Sequence, residues 1–146
     1  MIKRLGNLFD TDATCIGHGV NCRGVMGHGI AVEFKKRFPT NYEKYRDWCK
    51  RELLHPGTFA GFEDGDKIIF NIASQDNVGK DARYDWLFEA CRDAAKAVKA
   101  IGHDRIAIPL IGCGIGGLEW VDVECLLHAV EILTPGFEFE VWKLSS

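Results

Sequence analysis

At 146 residues the chain suits one domain around one core, expected over residues 1–146. A hydrophobic share of 47% and a charged share of 27% are those of an ordinary globular protein. The formal net charge of −3, with no basic block, excludes an affinity built on neutralising many backbone phosphates, and so bulk binding to duplex DNA; a single nucleotide or a modified end stays open. No apolar run reaches the length of about 18 residues that a membrane-spanning helix needs, and the N-terminal MIKRLGNLFD has no signal-like apolar segment. The cysteines at 15, 22, 49, 91, 113 and 125 include no CxxC pair, and no histidine pair completes a zinc pattern, so neither metal nor cofactor is expected. Cys91 and Cys125 fall in helical apolar stripes and are expected as buried thiols in a reducing, cytoplasmic setting.

In chain order, residues 14–20 lead into a loop over 21–27. Ile30, Phe34 and Phe38 then recur at helical spacing until Pro39 stops the helix. Thr40 with Glu43 predicts a capping box for a second helix, striped by Tyr42, Tyr45, Cys49 and Leu53. Residues 58–62 and 67–72 read as strands around the turn Asp64-Gly65-Asp66. After a polar loop over 74–83, Tyr84, Leu87, Phe88, Cys91, Ala94, Ala95 and Val98 mark the plainest helix of the chain. Residues 106–111 are a short apolar run, as expected of a strand covered on both faces. A helix striped by Val123, Leu126, Leu127, Val130 and Leu133 follows, then a last strand over 137–144. Strands alternating with helices predict an α/β layered fold with a mixed, mostly parallel sheet, whose ligands bind at the strand C-terminal ends.

Two glycine clusters stand at strand-to-helix junctions. Gly24, Gly27 and Gly29 precede the helix at Ile30, and four glycines fall within residues 112–117. Glycine lets backbone N–H groups approach a ligand, and the free amides of a helix start favour an anion, so a phosphate can be held without lysine or arginine. The plainer alternative is two tight turns. Neither cluster is a Walker loop, since no GKS or GKT is present, and neither matches the GxGxxG dinucleotide fingerprint with its later acidic residue. In the last strand Phe137, Phe139 and Val141 share one side and Glu138 and Glu140 the other; Trp142 breaks that alternation, either to stack on a base or to lie under a helix.

The run HGVNCRGVMGHGIAVEFKKRFP at 18–39, with IPLIGCGIGGLEW at 108–120 and Gly6-Asn7-Leu8 near the N-terminus, resembles the macro domain. The resembled branch holds ADP-ribose-1″-phosphate phosphatases and hydrolases that strip ADP-ribose from protein carboxylates or DNA bases. The resemblance implies a three-layer α/β/α sandwich and ADP-ribose or a derivative as ligand, with an ADP-ribosylated protein or nucleic acid as the wider partner. It implies a ligand set of Asn7, Leu8, Asn21, Gly27, Gly29, Ile30, Gln75, Gly112, Cys113, Gly114, Ile115, Gly116, Gly117 and Trp142. Asn7 would meet the adenine amine, where Asp is commoner, and Asn21 the distal ribose. His18, Asn21 and His28 are the catalytic candidates; for His18 a buried structural histidine is the alternative. Gln75 and Gly116 stand where the branch's hydrolases carry Lys and Asp, so Asp76, Lys80, Asp81 and Arg83 are weighed as substitutes against a solvated loop. A hydrolase or phosphatase is favoured over a non-catalytic binding module.

Overall fold

The computed structural model describes residues 1–144, so residues 145 and 146 of the expected domain lie outside it. The elements are β1 (Ile2–Leu5), a 3-10 turn (Leu8–Asp10), β2 (Cys15–Val20), α1 (Ile30–Arg37), α2 (Pro39–Lys50), β3 (Phe59–Asp64), β4 (Lys67–Ala73), α3 (Tyr84–Ala100), β5 (Arg105–Ile108), α4 (Trp120–Leu133) and β6 (Glu138–Lys143). The strands form one sheet in the order β1-β6-β5-β2-β4-β3. Every neighbouring pair is parallel except β3 with β4, a hairpin closed by Gly65.

Side chains of the central strands alternate between two cores. Cys15, Phe70, Ile72, Ile106 and Ile108 meet Leu87, Cys91, Val98 and Leu127 of α3 and α4. Ile16, Val20, Ile69, Ala73 and Ala107 meet Phe34 and Tyr45 of α1 and α2. With both faces covered, the strands read as continuous apolar runs, and the result is the three-layer α/β/α sandwich with a mixed, mostly parallel sheet.

Several local expectations are corrected. β1 was not anticipated, because three of its four residues are exposed at the sheet edge and leave no apolar pattern. β5 stops at Ile108, since Pro109 has no N–H for the ladder. The capping box is absent: Pro39 is the first residue of α2, which puts Thr40 inside the first turn, and Phe38 caps without a side-chain bond. Leu53 lies past the end of α2 and is exposed, as is Leu133 at the end of α4. Cys125 is exposed as well, because α4 buries Val123, Leu127 and Val130, and position 125 is rotated about 200° from position 123.

Candidate ligand-binding cleft

The C-terminal ends of the five parallel strands open on one edge of the sheet, and a cleft of about 930 Å³ lies there. That volume is within the range of small-molecule sites. Each strand hands one segment to its wall: Gly6-Asn7-Leu8-Phe9 after β1, Asn21 to Ile30 after β2, Ser74-Gln75 after β4, Pro109 to Gly116 after β5, and Trp142 at the end of β6. Strand order therefore sets the order along the cleft, from Asn7 and Trp142 at one end, through the second glycine loop, to Asn21 and Gln75 at the other.

The first loop is held by side chains. Asn21 Oδ1 accepts from the Arg23 amide at 2.9 Å, and Asn21 Nδ2 donates to the Val25 carbonyl at 2.9 Å. The hydroxyl of Tyr45, buried on α2, lies 2.7 Å from the Asn21 carbonyl and 3.0 Å from its Oδ1. Desolvation pushes the Tyr45 phenol far up, so it stays a neutral donor. Asn21 thus both lines the cleft and organises the turn, with one Nδ2 hydrogen uncommitted. The Cys22 amide donates to the Asp76 carbonyl at 3.0 Å, and Arg23 pairs with Asp76 at 3.1 Å, which ties this loop to residues 74–83. At its far end Gly29 caps α1 with φ 61° and no side-chain bond; the Val32 amide donates to the Gly29 carbonyl at 3.2 Å, and the amides of Ile30 and Ala31 are left at the cleft.

The second loop is held by backbone and packing. Leu118 N donates to Gly112 O at 2.9 Å and Gly117 N to Gly114 O at 3.2 Å. Gly112 and Gly117 take φ 76° and 86°, which favours glycine. Among the described residues the amides of Gly114, Ile115 and Gly116 donate to no backbone acceptor outside regular elements, the arrangement of an anion nest. A Cβ on Gly114 would meet nothing within 4 Å. A Cβ on Gly116 would come within 2.9 Å of Ala82 Cβ and Gly112 O, so an aspartate has no room there. Gly117, expected among the ligand residues, does not line the cleft; it lies beneath the Lys80 side chain. The Cys113 thiol lines the cleft, but desolvation, and then Glu119, push it up to about 11, which makes it a poor nucleophile.

The expectation of a catalytic His18 is overturned. Its ring is fully buried, stacked on Phe34 at 3.8 Å, and outside the cleft. Asn71 Oδ1 accepts from Asn41 Nδ2 at 3.2 Å and from His18 Nε2 at 3.0 Å, which puts the His18 proton on Nε2. Nδ1 has no partner among the described residues. Burial lowers the ring to about 4, against the raising effect of Asn71, so the imidazole is neutral at physiological pH. Glycine residues on either side hide this in the sequence; the signal lay in the polar partners Asn41 and Asn71, far along the chain.

The proposed substitutes for the lysine are also placed elsewhere. Asp81 caps the amides of Asp76 and Asn77, Asp76 pairs with Arg23, Lys80 covers Gly117, and Arg83 lies over Trp86 at 4.3 Å; none lines the cleft. Gln75 does line it, but its Nε2 donates to the carbonyls of Asn77, at 2.6 Å, and Gly79, at 3.0 Å, closing its own loop. His28 is exposed at the cleft and is the one imidazole there. Asn7 Oδ1 caps the 3-10 turn through the Phe9 amide at 2.9 Å. Leu8, Gly27, Gly29, Ile30, Gly112, Cys113 and Ile115 line the walls. The sequence did not single out Phe9, Glu33 and Arg37, where Arg37 lies over the Phe9 ring at 4.5 Å and pairs with Glu33 at 3.3 Å. Their helical spacing at 33 and 37 was legible, but not that Phe9 lies beside them.

Among the described residues no group of three His, Cys, Asp or Glu side chains could hold a metal, and no helix is long and apolar enough to cross a membrane.

The macro domain family model matches residues 18–127. The DNA ADP-ribosyl glycohydrolase of Mycobacterium tuberculosis is 32% identical over 123 residues, covering 82% of this chain and 35% of that protein. The ADP-ribose 1″-phosphate phosphatase of Lodderomyces elongisporus is 26% identical over 145 residues, covering 88% of this chain and 91% of that protein. The solved macrodomain of Mycobacterium tuberculosis DarG superimposes with a TM-score of 0.87 at 28% identity, over 97% of each chain. The chain spans about a third of the length of the glycohydrolase it matches.

Proposed function

The chain belongs to the macro-domain family, and from that premise we propose that the cleft binds ADP-ribose and that the protein is a hydrolase of an ADP-ribose derivative. The observation that carries this is the order of chemistry along the cleft. From β6 to β4 there are three strand spacings, roughly 14 Å. An aromatic ring, Trp142, stands at one end, uncapped and unpaired amides from two loops in the middle, and the Asn21 amide near the other. A base, a diphosphate and a ribose joined end to end fit that order, and the backbone cradle explains how an acidic chain holds an anion.

For the reaction, the two loops fix the diphosphate and so orient the distal ribose. The free Nδ2 hydrogen of Asn21 reaches a ribose hydroxyl or the attacking water. His28 supplies general acid–base help, since it is the one imidazole at the cleft and His18 is sealed beneath it. The likeness over 82% of the chain to a DNA ADP-ribosyl glycohydrolase supports a nucleic-acid adduct as the substrate, with cleavage between the adduct and the distal ribose. A single modified base asks for no bulk phosphate binding, in keeping with the net charge of −3.

A second reading has its own observation. Gln75 is engaged in its loop and Gly116 has no room for a carboxylate, so neither position supplies a catalytic charge. That favours a module that binds ADP-ribose without turnover. Incubating the protein with ADP-ribosylated DNA, an ADP-ribosylated glutamyl protein and ADP-ribose-1″-phosphate, and measuring ADP-ribose or phosphate release, separates the readings. Release from the DNA adduct is the expected result. Binding of ADP-ribose with no release from any of the three selects the module.

A further inference from the structure

Glu140 is a carboxylate that neither the glycine loops nor the chemistry above uses, and it is 1% exposed within β6. The alternation of that strand predicts an outward glutamate; tertiary contacts bury it instead. Its Oε2 accepts from Arg105 Nη1, and Arg105 is held in turn by Asp12 at 2.7 Å. Its Oε1 accepts from two donors, the Thr11 hydroxyl and the indole Nε1 of Trp142, the latter at 2.6 Å. Of those two donors Trp142 lines one end of the cleft, and Thr11 directly follows the turn whose Leu8 and Phe9 line the same end. Thr11 closes the 3-10 turn that carries Leu8 and Phe9, through its own amide to Leu8 O at 3.1 Å. Trp142 lies against Gly6, where a Cβ would be 3.5 Å from the ring.

We infer that Glu140 is a positioning residue for the base-binding end of the cleft: its carboxylate fixes the Trp142 ring against the Asn7–Phe9 turn as the face on which the base of the ligand stacks. The physical ground is that a part-buried indole at a strand end keeps rotamer freedom unless something fixes it, and a ring that wanders loses stacking. One bond from the indole N–H to a carboxylate already locked by Arg105 removes that freedom before the ligand arrives. Thr11 shares the same oxygen, so the turn and the ring keep a common reference. The inference rests on the base end of the cleft being that of Trp142, as proposed above.

The test is a double-mutant cycle on ADP-ribose affinity, measured by calorimetry on the wild type, Glu140→Gln, Trp142→Phe and the double variant. Trp142→Phe keeps an aromatic face but removes the tethering N–H together with part of the stacking area. Glu140→Gln is expected to weaken ADP-ribose about tenfold and Trp142→Phe at least as much, with the double variant no weaker than Trp142→Phe alone, because a single amide oxygen cannot bridge Arg105 and Trp142 and both changes break the same chain of bonds. Losses that multiply in the double variant would show Glu140 acting by general support of the fold, and overturn the inference. So would a Trp142→Phe protein that binds as the wild type does, a result that decides the matter even if Glu140→Gln does not fold. Absence of ADP-ribose binding by the wild type overturns the proposed function and this inference with it, whereas wild-type binding with unaffected variants removes the role of Glu140 alone.

Discussion

The two glycine loops face one cleft but are built on different principles. The first is braced from below by polar side chains: Asn21 ties to Arg23 and Val25, and the buried Tyr45 hydroxyl reaches up from α2. Among the described residues the second has no such brace from another element; apart from the Cys113 thiol donating to the Ile111 carbonyl at 3.4 Å its turn bonds run backbone to backbone, and its shape comes from left-handed glycines pressed against Leu118 and Lys80. A loop braced by side chains loses stability and affinity together when a brace is cut. A loop made of backbone loses affinity alone when its open side is filled.

Filling the second loop should therefore give the largest effect. Gly114→Val places a side chain where nothing lies within 4 Å, at a residue outside the left-handed region, so the protein stays folded while the approach to the amides closes. Calorimetry should show ADP-ribose affinity reduced at least about 1,000-fold, about 4 kcal/mol, with an unchanged melting temperature. Binding by the folded variant would reduce this loop to a turn.

Acid should act on the face under the first loop. The folded His18 stays neutral down to about 4, whereas an unfolded histidine titrates near 6.5. Between those values the unfolded state takes up a proton that the folded state refuses, so stability falls as pH drops from about 6.5 to about 4. The loss from this one group is on the order of 3 kcal/mol. Denaturant melts of the wild type and of His18→Phe across that range measure it, and an equally steep pH slope in both would assign the loss to other groups.

Cutting the brace comes next. Tyr45→Phe removes the bond to the part-buried Asn21 carbonyl and should cost about 1 kcal/mol of stability, with a several-fold weaker ADP-ribose complex. A change in affinity without one in stability would make the two loops alike after all. His28→Ala tests the chemistry at the first loop: turnover should fall about tenfold or more with ADP-ribose affinity held within about twofold. An unchanged rate would leave orientation of water by Asn21 as the whole mechanism. The smallest expected effect is that of chelation, since EDTA should leave release of ADP-ribose unchanged; a loss restored by a divalent ion would reveal a ligand set that neither loop displays.

Much of this architecture was legible before the structure. The stripe of α3, the apolar runs of β4 and β5 and the glycines at two strand ends are local patterns, and each reports the period of its own element. A mixed, mostly parallel sheet then followed from helices alternating with strands, and the cleft from the rule that ligands gather at the ends of parallel strands. β1 was missed because an exposed edge strand has no apolar face to betray it.

What the chain determined by itself is thus the set of elements other than β1, the two glycine loops at strand ends and the place of Trp142 on the glutamate side of its strand. What only the tertiary structure decided is the environment of the polar residues. His18, Glu140 and Gln75 look equally available in the sequence, yet the first is sealed against Phe34, the second is buried under Arg105 and Thr11, and the third is spent on its own loop. The reason is physical: the apolar pattern of an element is written in neighbours a few residues away, whereas the burial and protonation of a polar side chain depend on partners such as Asn71 for His18, 53 positions distant, that only folding brings within reach.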